Sequence, residues 1–131
     1  AFGQRYSKKL GLSGIYALRA LVLAIFLLTP KTTEVIYVFA ATMGILWLST
    51  VPLTAGLVAQ VFGIRYMATL YGFVFFSHQI GSFIGVWLGG FIYDTTGSYD
   101  LMWQAGIVMG LVAAVIHLPI DEAPVPRLQE A

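Results

Sequence analysis

The chain consists of four long apolar segments joined by short polar connections. Lys, Arg, Asp and Glu are absent from Val35 to Ile64 and again from Tyr66 to Tyr93. A run of about 20 mostly apolar residues is long enough to cross the hydrocarbon core of a bilayer as an α-helix. Transmembrane strands instead need alternating apolar and polar positions over about ten residues. The pattern therefore predicts an all-α, polytopic bundle of four spanning helices, over about residues 10–29, 35–62, 67–93 and 101–120.

The composition supports a location in the lipid bilayer. Hydrophobic residues make up 59 % of the 131-residue chain and charged residues 10 %, whereas soluble domains carry roughly 25 % charged residues. Cysteine is absent, which excludes disulfides and thiolate metal sites. The basic residues do not cluster with aromatic residues as nucleic-acid-binding surfaces do, and no pair of carboxylates lies within the segments. We therefore expect no enzyme activity, no metal, no cofactor and no nucleic-acid partner.

The basic residues predict the orientation of the chain. Short connections place five of them on one side of the bilayer: Arg5, Lys8, Lys9, Arg65 and Arg127. Because Lys and Arg favour the cytoplasmic side of a membrane, both ends of the chain are expected in the cytoplasm. Residues 1–9 then form a cytoplasmic loop and the polar residues 121–131 a flexible cytoplasmic tail. The expected location is the cell membrane.

Arg19 is a formal charge inside the first predicted segment. An arginine at the centre of a spanning helix costs about 2.5–3.5 kcal/mol on insertion scales, so its presence needs a reason. One interpretation is an anion-binding role in a substrate cavity. The other is structural, with the side chain extending to the interface as an anchor or pairing with a polar group on a further helix.

The second segment carries Pro52 in its middle, where proline removes a helical hydrogen bond. Trp47, Thr50 and Thr54 share one face of this helix by their spacing, together with Met43. Such breaks are tolerated in membranes where polar groups or cavity water satisfy the backbone. This face is therefore a candidate cavity lining, the alternative being a kinked packing helix whose hydroxyls bind its own backbone.

The third segment carries a stripe of glycines that predicts close helix packing: Gly81, Gly85, Gly89 and Gly90. Small residues at this spacing let another helix approach closely. His78 lies two turns before Gly85 and on the same side of the helix, so it is predicted to face protein. It is a candidate cavity residue together with the adjacent Gln79, because ionisable residues within membranes are often functional. The alternative is a neutral histidine that is bonded to a neighbouring helix.

Three stretches of the chain carry a family resemblance. The stretch Gly72–Tyr99, GFVFFSHQIGSFIGVWLGGFIYDTTGSY, is similar to the eleventh helix and following outer turn of major facilitator carriers, and its FFSHQIG core resembles bacterial members of the monocarboxylate-porter-like branch. Val61–Gly72 resembles the connection that precedes that helix, and Gly3–Leu21 resembles the start of helix nine.

This resemblance implies that the four segments are helices nine to twelve of a twelve-helix fold that works by alternating access between two halves. It implies a fragment of a secondary active transporter for small organic anions such as monocarboxylates. The expected partners are the eight preceding helices of the same carrier and a small-molecule substrate. Helix ten lines the central cavity in this family, and helix eleven packs at the boundary between the halves.

Two other functions remain open on the sequence alone. A complete four-helix protein could act as a homodimeric small exporter, although such exporters use a membrane-embedded carboxylate that these segments lack. A membrane anchor or assembly subunit would instead require a soluble partner and would have no conformational cycle.

Overall fold

The computed structural model describes residues 7–126, which form four helices. These are α1 (Lys8–Leu28), α2 (Thr33–Phe62), α3 (Met67–Thr96) and α4 (Asp100–His117). Each helix is long and apolar enough to cross a membrane, which confirms the predicted all-α bundle of four spanning helices. The connections are short, so neighbouring helices run in opposite directions.

The helix ends follow local side-chain and backbone chemistry. The hydroxyls of Ser7 and Thr32 accept hydrogen bonds from backbone amides in the first turns of α1 and α2. α2 and α3 end at Gly63 and Gly97, which have φ angles of 79° and 70°. Glycine adopts such positive φ angles without the steric cost that a Cβ atom brings.

All four helices begin or end away from the predicted bounds. α1 and α2 begin two residues earlier than predicted and α3 ends three residues later, because apolar residues mark the membrane core while helices extend into the interface. α4 ends at His117 and not at the predicted Ile120. The reason is Pro119, which has no backbone N–H to continue the helical hydrogen bonding.

α1 is the centre of the bundle, with its most extensive contacts to α4 and the next most extensive to α2. Two glycines of α4 permit the close approach of α1. A Cβ atom added at Gly110 would lie 3.2 Å from the Cβ of Ala20, and one at Gly106 would lie 3.4 Å from Leu23 Cδ1. Small residues at a helix crossing allow backbones to come close, so these glycines fix the position of α4 against α1.

α3 contacts the other helices much less, and most of its large apolar side chains are exposed. Of the predicted glycine stripe, Gly89 is buried against Met102 of α4, with a distance of 3.7 Å from an added Cβ. A Cβ added at Gly81, Gly85 or Gly90 would meet nothing within 4 Å in the described part of the chain. Close helix packing at these three positions stays a prediction.

A set of hydrogen bonds, here named the terminal clasp, ties the residues after α4 to the start of α1 and the end of α2. The backbone N–H of Lys9 donates to Glu122 Oε1 at 2.8 Å, and Gln60 Nε2 donates to the Glu122 carbonyl at 3.0 Å. The Val125 N–H donates to the Val61 carbonyl at 2.8 Å. The first residues of the predicted flexible tail are thus held in place, while Arg5, Arg127 and the rest of both ends lie outside the described residues.

Candidate functional site

A cavity of about 530 Å³ opens between the four helices. It is lined by residues from all of them: Tyr16 and Arg19 of α1, Trp47, Thr50, Val51 and Thr54 of α2, Tyr71, Val74, Phe75, Ser77 and His78 of α3, and His117 of α4. This size suits a small molecule.

Among the described residues that line the cavity, Arg19 is the one that carries a formal charge. Its guanidinium carbon Cζ lies 4.3 Å from the centroid of the Trp47 ring and 5.5 Å from that of Tyr16. A guanidinium over an aromatic face is attracted by the negative potential of the ring. The two aromatic rings therefore hold the Arg19 side chain at the cavity, in the middle part of α1.

Two nitrogens of Arg19, Nε and Nη2, are buried and have no hydrogen-bond partner among the described residues. These two N–H groups lie on one edge of the planar guanidinium, where they point in nearly the same direction. Burying an unpaired donor costs about 1–3 kcal/mol, and more when the group is charged. The edge therefore lacks the acceptor that would stabilise it.

Aromatic rings form much of the cavity wall. The Trp47 and His78 ring centroids are 6.3 Å apart, and those of Phe75 and His78 are 6.2 Å apart. We name these three residues the aromatic wall. The ring of Tyr16, which also contacts Arg19, lies 5.1 Å from that of His117, whose Nδ1 is 2.7 Å from the Ala113 carbonyl oxygen.

Two hydroxyls of the cavity donate hydrogen bonds to backbone carbonyls of their own helices. Thr50 Oγ1 donates to the Trp47 carbonyl and Ser77 Oγ donates to the Val74 carbonyl, both at 2.7 Å. A hydroxyl that donates in this way still has acceptor capacity on its oxygen. These groups add polarity to the cavity without adding charge.

The structure brings together most of the residues that were singled out in the sequence. Arg19, Trp47, Thr50, Thr54 and His78 all line the cavity. Gln79 does not, because it is one residue further along α3 and adjacent helical residues point about 100° apart.

Sequence reasoning missed seven lining residues: Tyr16, Val51, Tyr71, Val74, Phe75, Ser77 and His117. Helical spacing carried a signal for several of them; for example, Tyr16 lies three residues before Arg19 and Phe75 three before His78, on the same faces. His117 lies in the last turn of α4. Its place in the cavity depends on the packing of α4 against α1.

The cavity offers chemical groups that could bind a small molecule. It offers one positive charge, rings and hydroxyls, and its described lining residues include no Asp or Glu. The described part of the chain holds no group of three or more His, Cys, Asp or Glu residues that could bind a metal ion. The arrangement suits a small anion that also carries apolar surface.

The chain is similar to known membrane-transporter proteins. A family model described as Major Facilitator Superfamily matches residues 1–131. Over 80 residues the chain is 31 % identical to a Bacillus subtilis (strain 168) protein described as an uncharacterized MFS-type transporter, YcxA. The match covers 61 % of this chain and 20 % of that protein. No solved structure matches the chain.

Proposed function

Because the chain belongs to the Major Facilitator Superfamily, a family of transporters and not of enzymes, we propose that it forms part of a secondary active carrier for small organic anions, monocarboxylates among them. The protein is a multi-pass membrane protein. In this proposal α1 to α4 are helices nine to twelve of a twelve-helix carrier, and the cavity around Arg19 is one side of its substrate site.

The observation that supports this substrate class is the unpartnered edge of Arg19. A carboxylate has two oxygens whose separation matches the Nε–H and Nη2–H pair, so that two parallel charge-assisted hydrogen bonds can form. Arg19 has no carboxylate partner among the described residues that line the cavity. In the proposal, the substrate supplies the missing acceptor.

Binding at this edge requires a neighbouring side chain to move. The two nitrogens are covered in the present conformation, and Trp47, which lies against the guanidinium, is 53 % exposed. Exposed side chains change rotamer readily, so side chains at the cavity have room to shift and uncover the edge. A carboxylate on this edge lies in the guanidinium plane and leaves the face against Trp47 free for the cation–π contact.

Alternating access gives the exposed surface of α3 a role. In this proposal the other half of the carrier packs on α3, with the open positions Gly81 and Gly85 at the contact. α1 and α4 pack closely together, so they move as one unit while the contact at α3 changes. Such rocking of one half against the other exposes a central site to each side in turn.

The proposed orientation places the terminal clasp in the cytoplasm. Lys8, Lys9 and Arg65 lie at that end of the bundle, whereas Asp94 and Asp100 lie at the other. Basic residues near the helix ends favour the cytoplasmic side. Cell-membrane topology is tested by labelling single cysteines introduced at positions 65 and 98 from outside intact cells, and only the residue at 98 is expected to react.

Uptake by the intact carrier tests the proposed function. The full-length protein is reconstituted in liposomes, and accumulation of labelled small carboxylates, amines and neutral sugars is measured under an imposed proton gradient. Saturable uptake of carboxylates alone is the expected result. Uptake of amines or sugars without carboxylates would contradict the proposal.

The size of the native polypeptide separates the carrier from the four-helix alternatives. An antibody against residues 121–131 is used on a denaturing gel of native membranes. A band of about three times the mass of this chain is expected for a twelve-helix carrier. A band at 14.3 kDa would instead favour a homodimeric exporter or a membrane anchor.

A further inference from the structure

The walls of the cavity are unusually rich in rings for the site of a small aliphatic anion. Half of the twelve lining residues carry an aromatic or imidazole ring: Tyr16, Trp47, Tyr71, Phe75, His78 and His117. Trp47 and Phe75 are each at least half exposed, at 53 % and 50 %. Part of each ring is therefore not covered by the neighbouring helices and can contact a molecule in the cavity.

The charge and the rings lie at distances that one ligand can span. Trp47 contacts Arg19 at 4.3 Å and is 6.3 Å from His78, which in turn is 6.2 Å from Phe75. Aromatic pairs interact favourably at centroid distances of about 4.5–7 Å. A ring attached directly to a carboxylate on Arg19 would fall within that range of the aromatic wall.

We infer that the preferred substrate of this cavity is an aromatic monocarboxylate, a benzoate-like anion, with its carboxylate on the Nε and Nη2 edge of Arg19 and its ring on the wall formed by Trp47, Phe75 and His78. This inference rests on the proposed function and narrows it from small organic anions in general to those with a conjugated ring.

The described lining residues disfavour other anions. A short aliphatic carboxylate would satisfy Arg19 but leave the rings without a partner, so it gains less from the cavity. A second carboxylate would find no second Lys or Arg among the described residues that line the cavity. Burying an unpaired charge in apolar surroundings is strongly unfavourable, so a dicarboxylate is excluded more firmly than a short monocarboxylate.

Three ligands of graded structure separate the contributions of charge, size and aromaticity. Binding of benzoate, cyclohexanecarboxylate and propionate to the purified full-length carrier is measured by calorimetry, which passive diffusion of the acids across a bilayer does not affect. Benzoate and cyclohexanecarboxylate have the same carboxylate and a similar size, but only benzoate has a π-system. We expect benzoate to bind about tenfold more tightly than propionate and several-fold more tightly than cyclohexanecarboxylate.

A pair of matched variants tests whether the aromatic wall causes the preference for benzoate. Phe75→Leu removes a ring from the cavity, whereas Phe73→Leu removes one from the same helix at a residue that does not line the cavity. Phe75→Leu is expected to weaken benzoate binding about tenfold and to weaken propionate binding much less. Phe73→Leu is expected to change neither.

The outcomes distinguish this inference from the function on which it rests. Equal binding of benzoate and propionate, or an equal loss of both in Phe75→Leu, would overturn the aromatic preference while leaving the anion carrier intact. Failure of a folded carrier, shown by cooperative thermal unfolding, to bind any of the three would overturn both. The comparison of ligands on the unaltered carrier decides the question even if a variant does not fold.

Discussion

The guanidinium carbon of Arg19 lies 4.3 Å from the centroid of the Trp47 ring, which joins the middle of α1 to the middle of α2. An arginine that serves as an interfacial anchor extends along its helix toward the headgroups. Arg19 instead lies against a ring at the cavity. This relationship favours the anion-binding interpretation of Arg19 over the anchor interpretation.

Removal of the Arg19 charge is expected to weaken substrate binding. In Arg19→Gln the carboxylate loses two charge-assisted hydrogen bonds, each of which contributes about 1.5–3 kcal/mol, so KM for uptake should rise by about 100-fold or more. Arg19→Lys keeps the charge but not the paired geometry and should show a smaller increase. KM is measured with the full-length carrier in liposomes.

The alternative role of Arg19, as a partner for an acidic group elsewhere in the carrier, predicts a different pattern. Both variants would then lower the thermal stability of the carrier and its abundance in the membrane, with KM unchanged in the protein that remains. A normal KM in Arg19→Gln at matched abundance would rule out the substrate-binding role.

His78→Ala is expected to lower transport because it removes one member of the aromatic wall. Gln79→Ala is the matched control, since Gln79 is the next residue on α3 and does not line the cavity. His117→Ala should have a smaller effect than His78→Ala, because His117 Nδ1 is bound to the backbone of its own helix. Initial rates of uptake at equal membrane abundance provide the measurement, and equal rates in all three variants would contradict this ordering.

Gly110→Leu is expected to destabilise the carrier by forcing α4 away from α1. Even a Cβ atom at this position would lie 3.2 Å from Ala20 Cβ and 3.4 Å from the Tyr16 carbonyl oxygen. Overpacking of this kind costs about 1–3 kcal/mol. Gly14→Leu is the control, because Gly14 is exposed and an added Cβ there meets nothing within 4 Å. Thermal unfolding in detergent should show a lower midpoint for Gly110→Leu than for Gly14→Leu.

The terminal clasp is expected to make stability depend on pH. Burial acts to raise the pKa of Glu122, but hydrogen bonds from the Ser7 hydroxyl and the backbone amides of Lys9 and Lys8 outweigh it and hold the pKa below its ordinary value of 4.5. A carboxyl with a lowered pKa in the folded state stabilises the fold above its unfolded pKa, and this contribution is lost as the pH falls.

The corresponding measurement compares thermal midpoints of the unaltered carrier and Glu122→Gln across the acid range. Because this carboxylate is near the surface, we expect a loss of about 1 kcal/mol or less at neutral pH, shrinking as the pH falls below 4.5. Asp94→Asn, at the opposite end of the bundle, is the control. A difference between Glu122→Gln and the unaltered carrier that is independent of pH would show that the Glu122 charge does not act in the clasp.

The fold could be predicted from the sequence to a large extent because spanning a bilayer is a local property. The length and polarity of each segment decide whether it forms a membrane helix, and each helix satisfies its own backbone hydrogen bonds. The shared face of Trp47, Thr50 and Thr54 likewise follows from the 3.6-residue period within one helix. The predicted helix ends were less accurate. α4 ends at His117 because Pro119 cannot donate a backbone hydrogen bond, and hydropathy does not record this property.

The cavity itself was decided by tertiary structure. The sequence by itself determined four spanning helices, a buried charge at Arg19 and an ionisable side chain at His78, but it left open which faces meet. That choice depends on contacts between residues far apart in the chain, such as Gly110 against Ala20. This packing brings Tyr16 and His117 to the cavity, because the rotation of each helix is fixed by the shapes of its neighbours and not by its own sequence.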